Sequence, residues 1–360
     1  MTESNRRGDL QAVILVGGEG TRLRPLTHAL PKPMAPLLGR PFIGWILARL
    51  KASDVDDIIL SCCYLPDAIE AHYGDGRSMG LKLHYVVESE PLGTAGAIKN
   101  AREFIRGPMY ICNGDIITGL DLVALRDAHH HHRAIATIHT RPVDDPSHFG
   151  VVETDEHGRV KRFVEKPMPG ETTAHDINAG TYVLELDAVD AIPGGRAVSI
   201  EREVFPDLIA RTGRVFAVST QDYWIDVGRP ETYIQSHHDI LDRKLDHPLG
   251  VEIAPNVWSA DGAPLPHGVT VNGPAYIGAG VTLGTGSNIE PYGVVYDGCI
   301  VGEGATIGSA ILWPGCHVGA GAVVRDAILG LDVIVEPGAT VPPDSVLGHG
   351  ERVRGSGVAH

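Results

Sequence analysis

The sequence predicts an α/β domain, a mixed, mostly parallel sheet wrapped by helices, followed by a left-handed parallel β-helix. Three observations carry that prediction. Before residue 250, short apolar runs alternate with helical stretches, which is how a parallel sheet covered by helices is written. From Val271 onward, long helical periodicity gives way to small aliphatic residues recurring every six positions. The length of 360 residues exceeds the usual span of one core, and 43% hydrophobic residues are enough for two. The expected division is residues 1–248 for the α/β domain and 249–360 for the β-helix.

In chain order, Ala12-Val13-Ile14 reads as a buried strand. Strands over Asp57 to Ser61, Leu83 to Val87 and Met109 to Cys112 follow, with helices over Pro41 to Ala52 and Thr94 to Phe104. The sixfold series runs Val271, Ile277, Leu283, Ile289, then Val301 and Ile307, and later Val318, Val324, Val335 and Val341. Glycine often follows, as in Ile277-Gly278 and Val318-Gly319, and reads as the turn residue closing each short face. The phase slips near Val295, Leu312 and Leu329. A sandwich of short strands would alternate with a period of two and lack this register. Because the repeat lies apart from the motifs described below, truncation near His247 is expected to leave the first domain folded.

The formal charge of -15 argues against general binding to nucleic acid or to an anionic membrane surface. No stretch approaches the roughly 18 apolar residues of a membrane span, and MTESNRRGDL lacks the apolar core of a secretory leader. Cys62, Cys63, Cys112, Cys299 and Cys316 form no CxxC pattern and read as reduced packing residues, which fits a cytoplasmic protein. His129 to His132 resemble a metal tract, but consecutive helical residues project about 100° apart and cannot converge on one ion. A solvated helix end beside Arg133 is the reading they support.

LVGGEGTRLRPLT, Leu15 to Thr27, is the most informative stretch. Gly17, Gly18 and Gly20 follow a buried strand, where a sharp turn can present bare N–H groups. Thr21, Arg22 and Arg24 come next, then Lys32 stiffened between Pro31 and Pro33. Cations at a strand's carboxyl end suit a triphosphate, since ligands of open α/β sheets gather at that edge. The spacing is neither a Walker A nor a dinucleotide fingerprint. A glycine turn with solvated arginines is the plainer alternative.

With PKPM, EPLGTAG (Glu90 to Gly96), NGD (Asn113 to Asp115), FGVV (Phe149 to Val152), FVEKP (Phe163 to Pro167), INAGTYV (Ile177 to Val183), SIEREVFP (Ser199 to Pro206) and YWIDVG (Tyr223 to Gly228), this stretch resembles the sugar-1-phosphate nucleotidyltransferases. The set looks most like the mannose-1-phosphate guanylyltransferase branch, and the hexapeptide tail fits it. The resemblance implies a Rossmann-like nucleotidyltransferase domain that joins a sugar-1-phosphate to a nucleoside triphosphate, GTP first, and releases pyrophosphate. Such chemistry needs cations, a metal and positioning rather than a covalent nucleophile. Arg22 resembles the catalytic arginine, with Lys32 neutralising the same region.

Leu15, Gly17, Gly18, Gly20, Thr21, Glu88, Pro91, Gly93 and Thr94 are implied on the nucleotide side. Asn113, Gly150, Glu165, Lys166, Asn178, Gly180 and Glu201 are implied on the sugar-phosphate side. Asp115 and Asp226 are the Mg²⁺ candidates, because that ion takes one or two carboxylates and completes its shell with phosphate oxygens and waters. An ordinary Asn-Gly-Asp turn and a strand-end cap are their plainer readings. Glu165 and Lys166 are adjacent on a strand and should face opposite ways, so both serve one pocket only if the strand ends or twists there. Glu201 reads equally well as first-turn helix charge. Glu88 is placed to accept both edge donors of guanine, ring N1–H and the 2-amino group, against the alternative of a surface glutamate.

Two other classes stay in view. A hexapeptide acyltransferase needs a histidine base, and His267 and His317, the histidines between Val251 and Leu347, lie in no defensible pattern. A noncatalytic nucleotide-sugar-sensing subunit would not need Arg22, Lys32, Asp115, Lys166 and Asp226 intact. Heptose, glucose and cyclitol phosphates remain open as acceptors. A β-helix must protect its terminal coil, by packing it against another subunit or the catalytic domain, and a homo-oligomer is expected.

Overall fold

Ala12, Val13 and Ile14 are fully buried, and the computed structural model, which describes residues 10–62, 65–245 and 247–355, shows what buries them. The elements run β1 (Gln11–Leu15), the two-residue strands β2 (Pro36–Leu37) and β3 (Arg40–Pro41), α1 (Phe42–Ala52), β4 (Asp57–Cys62), α2 (Pro66–Tyr73), β5 (Lys82–Val87), α3 (Gly93–Asn100), β6 (Met109–Asn113) and β7 (Ile116–Thr118). Then come α4 (Leu122–His132), β8 (Ala136–Pro142), β9 (Gly150–Thr154), β10 (Val160–Glu165), β11 (Asp176–Leu184), α5 (Leu186–Asp190), α6 (Phe205–Thr212), β12 (Val215–Ser219), β13 (Trp224–Asp226) and α7 (Pro230–Leu241). The helix expected through Phe104 ends at Asn100, and a separate 3₁₀ turn covers Arg102–Phe104.

β1 pairs in parallel with β6 on one side and β4 on the other, and β5 extends the parallel run beyond β4. The other half of this nine-stranded sheet is largely antiparallel: β11 opposes β6, β8 and β9, β10 opposes β9, and only β12 on β8 is parallel. Apolar side chains from both halves, among them Ile111, Ile138, Tyr182 and Phe205, form one core.

By packing, the chain divides into two units. One is the chain up to Glu19 with Ile43–Asp226; the other is Gly20–Phe42 with Val227–His360. The division differs from a single boundary at residue 248, because the arginine-bearing segment after the glycine loop packs with the C-terminal half. Truncation near His247 would keep α7 and its bond from Tyr233 to Pro36 O, and would remove the β-helix residues that group with Gly20–Phe42.

In the second unit, short parallel strands stack into three faces of a β-helix. The inward rows are Val271, Ile289, Ile307, Val324 and Val341; Ile277, Val295, Leu312, Leu329 and Leu347; and Leu283, Val301, Val318, Val335 and Val353. Val295 thus keeps the register rather than breaking it. The true slips are at Leu312 and Leu329, where Ser309 and Asp326 turn the preceding corners in the left-handed conformation and shorten a face by one residue. Glycines such as Gly278 and Gly319 have a different role from the one read in the sequence. A Cβ there would lie 2.4 Å from a backbone nitrogen of the next coil, so close stacking demands them, and the left-handed corners fall two residues later at Gly280 and Gly321.

The described cysteines, Cys62, Cys112, Cys299 and Cys316, are buried free thiols; Cys63 and the first nine residues lie outside the described residues. His129 corrects the solvated-end reading of its tract. It is 1% exposed, with Nδ1 at 2.8 Å from Thr137 Oγ1 and Nε2 at 3.3 Å from Glu185 Oε1, and burial lowers its pKa.

Candidate active site

The glycine loop leaves β1 and ends in a tight turn: Gly20 is left-handed, and its carbonyl accepts from Leu23 N–H at 2.9 Å and Thr27 Oγ1 at 2.9 Å. A Cβ on Gly20 would press on Lys32 Cβ at 3.0 Å, so glycine is required there by conformation and by space. Gly18 differs, because a Cβ there would meet nothing within 4 Å. Its missing side chain leaves open backbone, which is what an incoming ligand needs. Leu15 is half-buried at the end of β1, with Gly17 just after it, and Thr21 opens the 3₁₀ turn Thr21–Leu23.

Arg22 is exposed, and its guanidinium lies over Gly228, where a Cβ would stand 2.7 Å from Nη2. The glycine of YWIDVG is therefore a seat for Arg22, a role that sequence reasoning missed. Lys32 is 8% exposed. Solvated surface charge does not describe it.

The two aspartates come to one end of one ladder. Gly114 N–H bonds Leu15 O at 2.9 Å, and a Cβ on Gly114 would sit 2.5 Å from that oxygen, so the Asn113-Gly114 turn is wedged against the end of β1. Asp115 follows directly, and β7 then pairs antiparallel with β13 so that Asp226 stands opposite Ile116, the residue after Asp115. A separation of more than a hundred residues in sequence is closed by two short strands. Asn113 Oδ1 is buried and has no hydrogen-bond partner among the described residues.

Among the residues expected on the sugar-phosphate side, β10 ends at Glu165, and Lys166 takes φ 53°. For a residue with a side chain this is a strained conformation, and it ends the strand alternation before the lysine. Gly150 is opposite Glu165 in register, and a Cβ there would collide with Glu165 Oε2 at 2.7 Å. The carboxylate folds across that gap. Burial, and Glu201 secondarily, raise the Glu165 pKa.

β11 bulges between Asn178 and Tyr182, and Gly180 sits in the bulge with φ +69°. A Cβ there would be 2.3 Å from Ile116 Cδ1 and 2.7 Å from Asn113 Nδ2. Asn178 holds the bulge: its Nδ2 donates to Tyr182 Oη at 2.7 Å and its Oδ1 accepts from Gly180 N–H at 3.0 Å. Trp224 Nε1 donates to Ala179 O at 3.0 Å. Asn178 is therefore a shaper of the bulge first, with one amide hydrogen and one lone pair left over.

Glu201 and Thr94 form a unit that the motifs did not announce. Thr94 Oγ1 donates to Glu201 Oε2 at 2.8 Å and accepts from Ile200 N–H at 2.8 Å, and Ser199 Oγ donates to the same carboxylate oxygen at 2.6 Å. Gly93 is left-handed, with a hypothetical Cβ 2.8 Å from Val198 O. PLGTAG and SIEREVFP are thus clamped together, and Glu201 is no mere first-turn charge.

Glu88 is 7% exposed, which removes the surface reading. Its Oε2 accepts from Leu92 N–H at 2.9 Å and its Oε1 from Ser61 Oγ at 3.2 Å, so it ties the Glu88–Leu92 loop, Pro91 included, to β4. Two of its acceptor positions remain.

Residues 11–243 match the family described as Nucleotidyl transferase, and residues 271–358 match the GMPPB C-terminal domain. The chain is 40% identical over 301 residues to a mannose-1-phosphate guanylyltransferase of Mycobacterium tuberculosis, covering 83% of this chain and 81% of that one. It is 31% identical over 323 residues to a UTP--glucose-1-phosphate uridylyltransferase of Synechocystis sp., covering 84% and 83%. Among solved structures it is similar to HddC from Yersinia pseudotuberculosis complexed with GMP-PN, at 32% identity and TM-score 0.55, over 64% of this chain and 99% of that one.

Proposed function

The chain belongs to the Nucleotidyl transferase family, and we propose that it transfers GMP from GTP to mannose-1-phosphate, forming a nucleoside-diphosphate sugar and releasing pyrophosphate. The observation that carries this reading is the 40% identity to a mannose-1-phosphate guanylyltransferase over most of both chains. An oxygen of the sugar phosphate attacks the α-phosphorus, the bond from that phosphorus to the bridging oxygen breaks, and pyrophosphate leaves with the electron pair. Arg22 and Lys32 neutralise the triphosphate, a task suited to a planar fork and a compact ammonium. The backbone of Leu15, Gly17, Gly18, Gly20 and Thr21 approaches the phosphates. Glu88, Pro91, Gly93 and Thr94 line the base side. Lys166 takes the sugar phosphate, while Glu165, Glu201, Asn113, Asn178 and the open backbone at Gly150 and Gly180 meet the hydroxyls.

Asp115 and Asp226 at one ladder end, with the unpartnered acceptor of Asn113 near by in sequence, make a hard-oxygen set that fits Mg²⁺. When bound, the ion adds positive charge at the transferring phosphate. Asp115 and Asp226 would hold it through their carboxylates. We place the protein in the cytosol on its buried free thiols, and as a homo-oligomer on exposed apolar residues of the β-helix such as Val251 and Ile300. No helix among the described residues is long and apolar enough to cross a membrane.

The similarity to a uridylyltransferase keeps one second reading, UTP with glucose-1-phosphate. A matrix of four nucleoside triphosphates against mannose-, glucose- and heptose-1-phosphates, scored by pyrophosphate release, decides between them. GTP with mannose-1-phosphate should give the largest kcat/KM. A maximum at UTP with glucose-1-phosphate would replace the proposal.

A further inference from the structure

Gly20–Phe42 carries Arg22 and Lys32, and its own hydrogen bonds are short-range turns such as Leu23 N–H to Gly20 O and Met34 N–H to Pro31 O. It contains five prolines, Pro25, Pro31, Pro33, Pro36 and Pro41, which have no N–H to give, and its only strands are the two-residue pair β2 and β3. Three hydrogen-bonded relays from α7 and the β-helix end on its backbone as well.

The direction of each relay is fixed by its donor. Leu38 N–H can only donate, so Tyr296 Oη accepts it at 2.6 Å and gives its own proton to His237 Nε2 at 2.9 Å; His237 Nδ1–H then faces Tyr233 O at 2.8 Å. Trp313 Nε1–H donates to Tyr233 Oη at 3.0 Å, and that hydroxyl donates to Pro36 O. Leu331 N–H donates to His349 Nδ1 at 2.9 Å, which leaves Nε2–H for Leu26 O at 2.8 Å. Tyr233, Tyr296, Trp313 and His237 are almost wholly buried. Burial lowers the His237 pKa to about 3 and raises those of both tyrosines, so one proton arrangement persists at any pH where the protein works.

All three relays stop at main-chain atoms, of Leu26, Pro36 and Leu38, on either side of Lys32 and a few residues beyond Arg22. Core packing alone would not select carbonyls and an amide of this one segment. We propose that the β-helix is part of the catalytic apparatus, with Tyr296, Trp313 and His349 acting as positioning residues that hold the segment bearing Arg22 and Lys32. The proposal rests on the reading of Arg22 as a group that acts on the triphosphate.

A double-mutant cycle in the full-length protein tests it. Tyr296→Phe keeps the ring and removes both hydroxyl bonds, and His349→Leu removes the third relay at a half-exposed site. Each should lower kcat about tenfold, because a displaced cation forfeits transition-state contact. In an Arg22→Ala, Lys32→Ala background each should change kcat less than twofold, since both groups being positioned are gone. His349→Gln, whose amide can still donate to Leu26 O, should restore most of the His349→Leu loss. A drop of the same factor in both backgrounds would mean loss of folded protein rather than positioning, and would overturn the proposal while leaving Arg22 catalytic. Near-normal turnover in Arg22→Ala alone would overturn the underlying reading, and the proposal with it.

Discussion

Arg22 and Glu88, both proposed on the nucleotide side, are held in opposite ways. Glu88 is buried, and its own carboxylate does the holding, one oxygen on Leu92 N–H and the other on Ser61. Arg22 is exposed, and what is held is the chain beneath it, through Gly228 and through backbone bonds from Tyr296, Tyr233 and His349. In the sheet unit a functional side chain can also be a structural one, so function and support lie within a few residues of each other. In the β-helix unit the two are separated: Leu26 and His349 are 323 positions apart. Substitutions should therefore behave differently in the two places.

The largest effect is expected at the ladder end. Asp115→Asn or Asp226→Asn keeps the shape of the side chain while removing the charge that would hold Mg²⁺, and turnover should fall on the order of 10³-fold with little change in melting temperature. Activity measured across Mg²⁺ concentrations, beside thermal melts, checks this. Near-normal turnover in both variants would remove the metal assignment and leave the ladder as scaffold.

Next comes the seat of Arg22. Gly228→Ala places a methyl within 2.7 to 3.0 Å of three guanidinium atoms, so the side chain must swing away. A loss of about tenfold in kcat is expected, with KM for the sugar phosphate nearly unchanged. If Gly228→Ala were silent, the exposed guanidinium would be free to reseat itself, and the contrast with Glu88 would weaken.

These two sites show what the sequence could disclose. The residue types of the ladder end were legible in NGD and YWIDVG, and so was the sixfold rhythm of the β-helix, since both are local patterns. The antiparallel half of the sheet was not, because β9, β10 and β11 look like any other short apolar runs and their direction is decided by distant partners. Left-handed Lys166 was half legible: strand alternation said that Glu165 and Lys166 could share a pocket only if the strand ended or twisted there, and β10 does end at Glu165. Thr94 with Glu201 and Leu26 with His349 were illegible for one reason, which is that hydrogen bonds over long sequence separations leave no periodic trace.

Lys166 sharpens the comparison from the sheet side. Its backbone N–H is bonded to Phe149 O at 2.9 Å, so the strained position is held by the main chain and a truncated side chain can keep the loop. Lys166→Ala should raise KM for the sugar phosphate about tenfold and leave KM for the nucleotide within twofold, because a charge-assisted contact from an exposed side chain is worth the low end of roughly 1.5 to 3 kcal/mol. An effect confined to the nucleotide would show that the two phosphate sites have been exchanged.

The smallest effect is expected at Glu88, and it tests whether a side chain that already has a structural task can also read the base. Its carboxylate spends one acceptor position on each of Leu92 and Ser61, which leaves two that can meet guanine's N1–H and 2-amino group. Glu88→Gln preserves the loop, since the amide oxygen can still accept from Leu92 N–H while the amide nitrogen donates to the Ser61 hydroxyl. It cannot present two acceptors to guanine. One lost bond at roughly 1 to 1.5 kcal/mol predicts that preference for GTP over ATP falls about five- to tenfold, with Mg²⁺ dependence unchanged. Competition among all four nucleotides, run before and after the substitution, measures it. An unchanged ranking would mean that Glu88 only ties the loop to β4, and selection of guanine would then have to come from the backbone that the loop carries rather than from the residue that holds it.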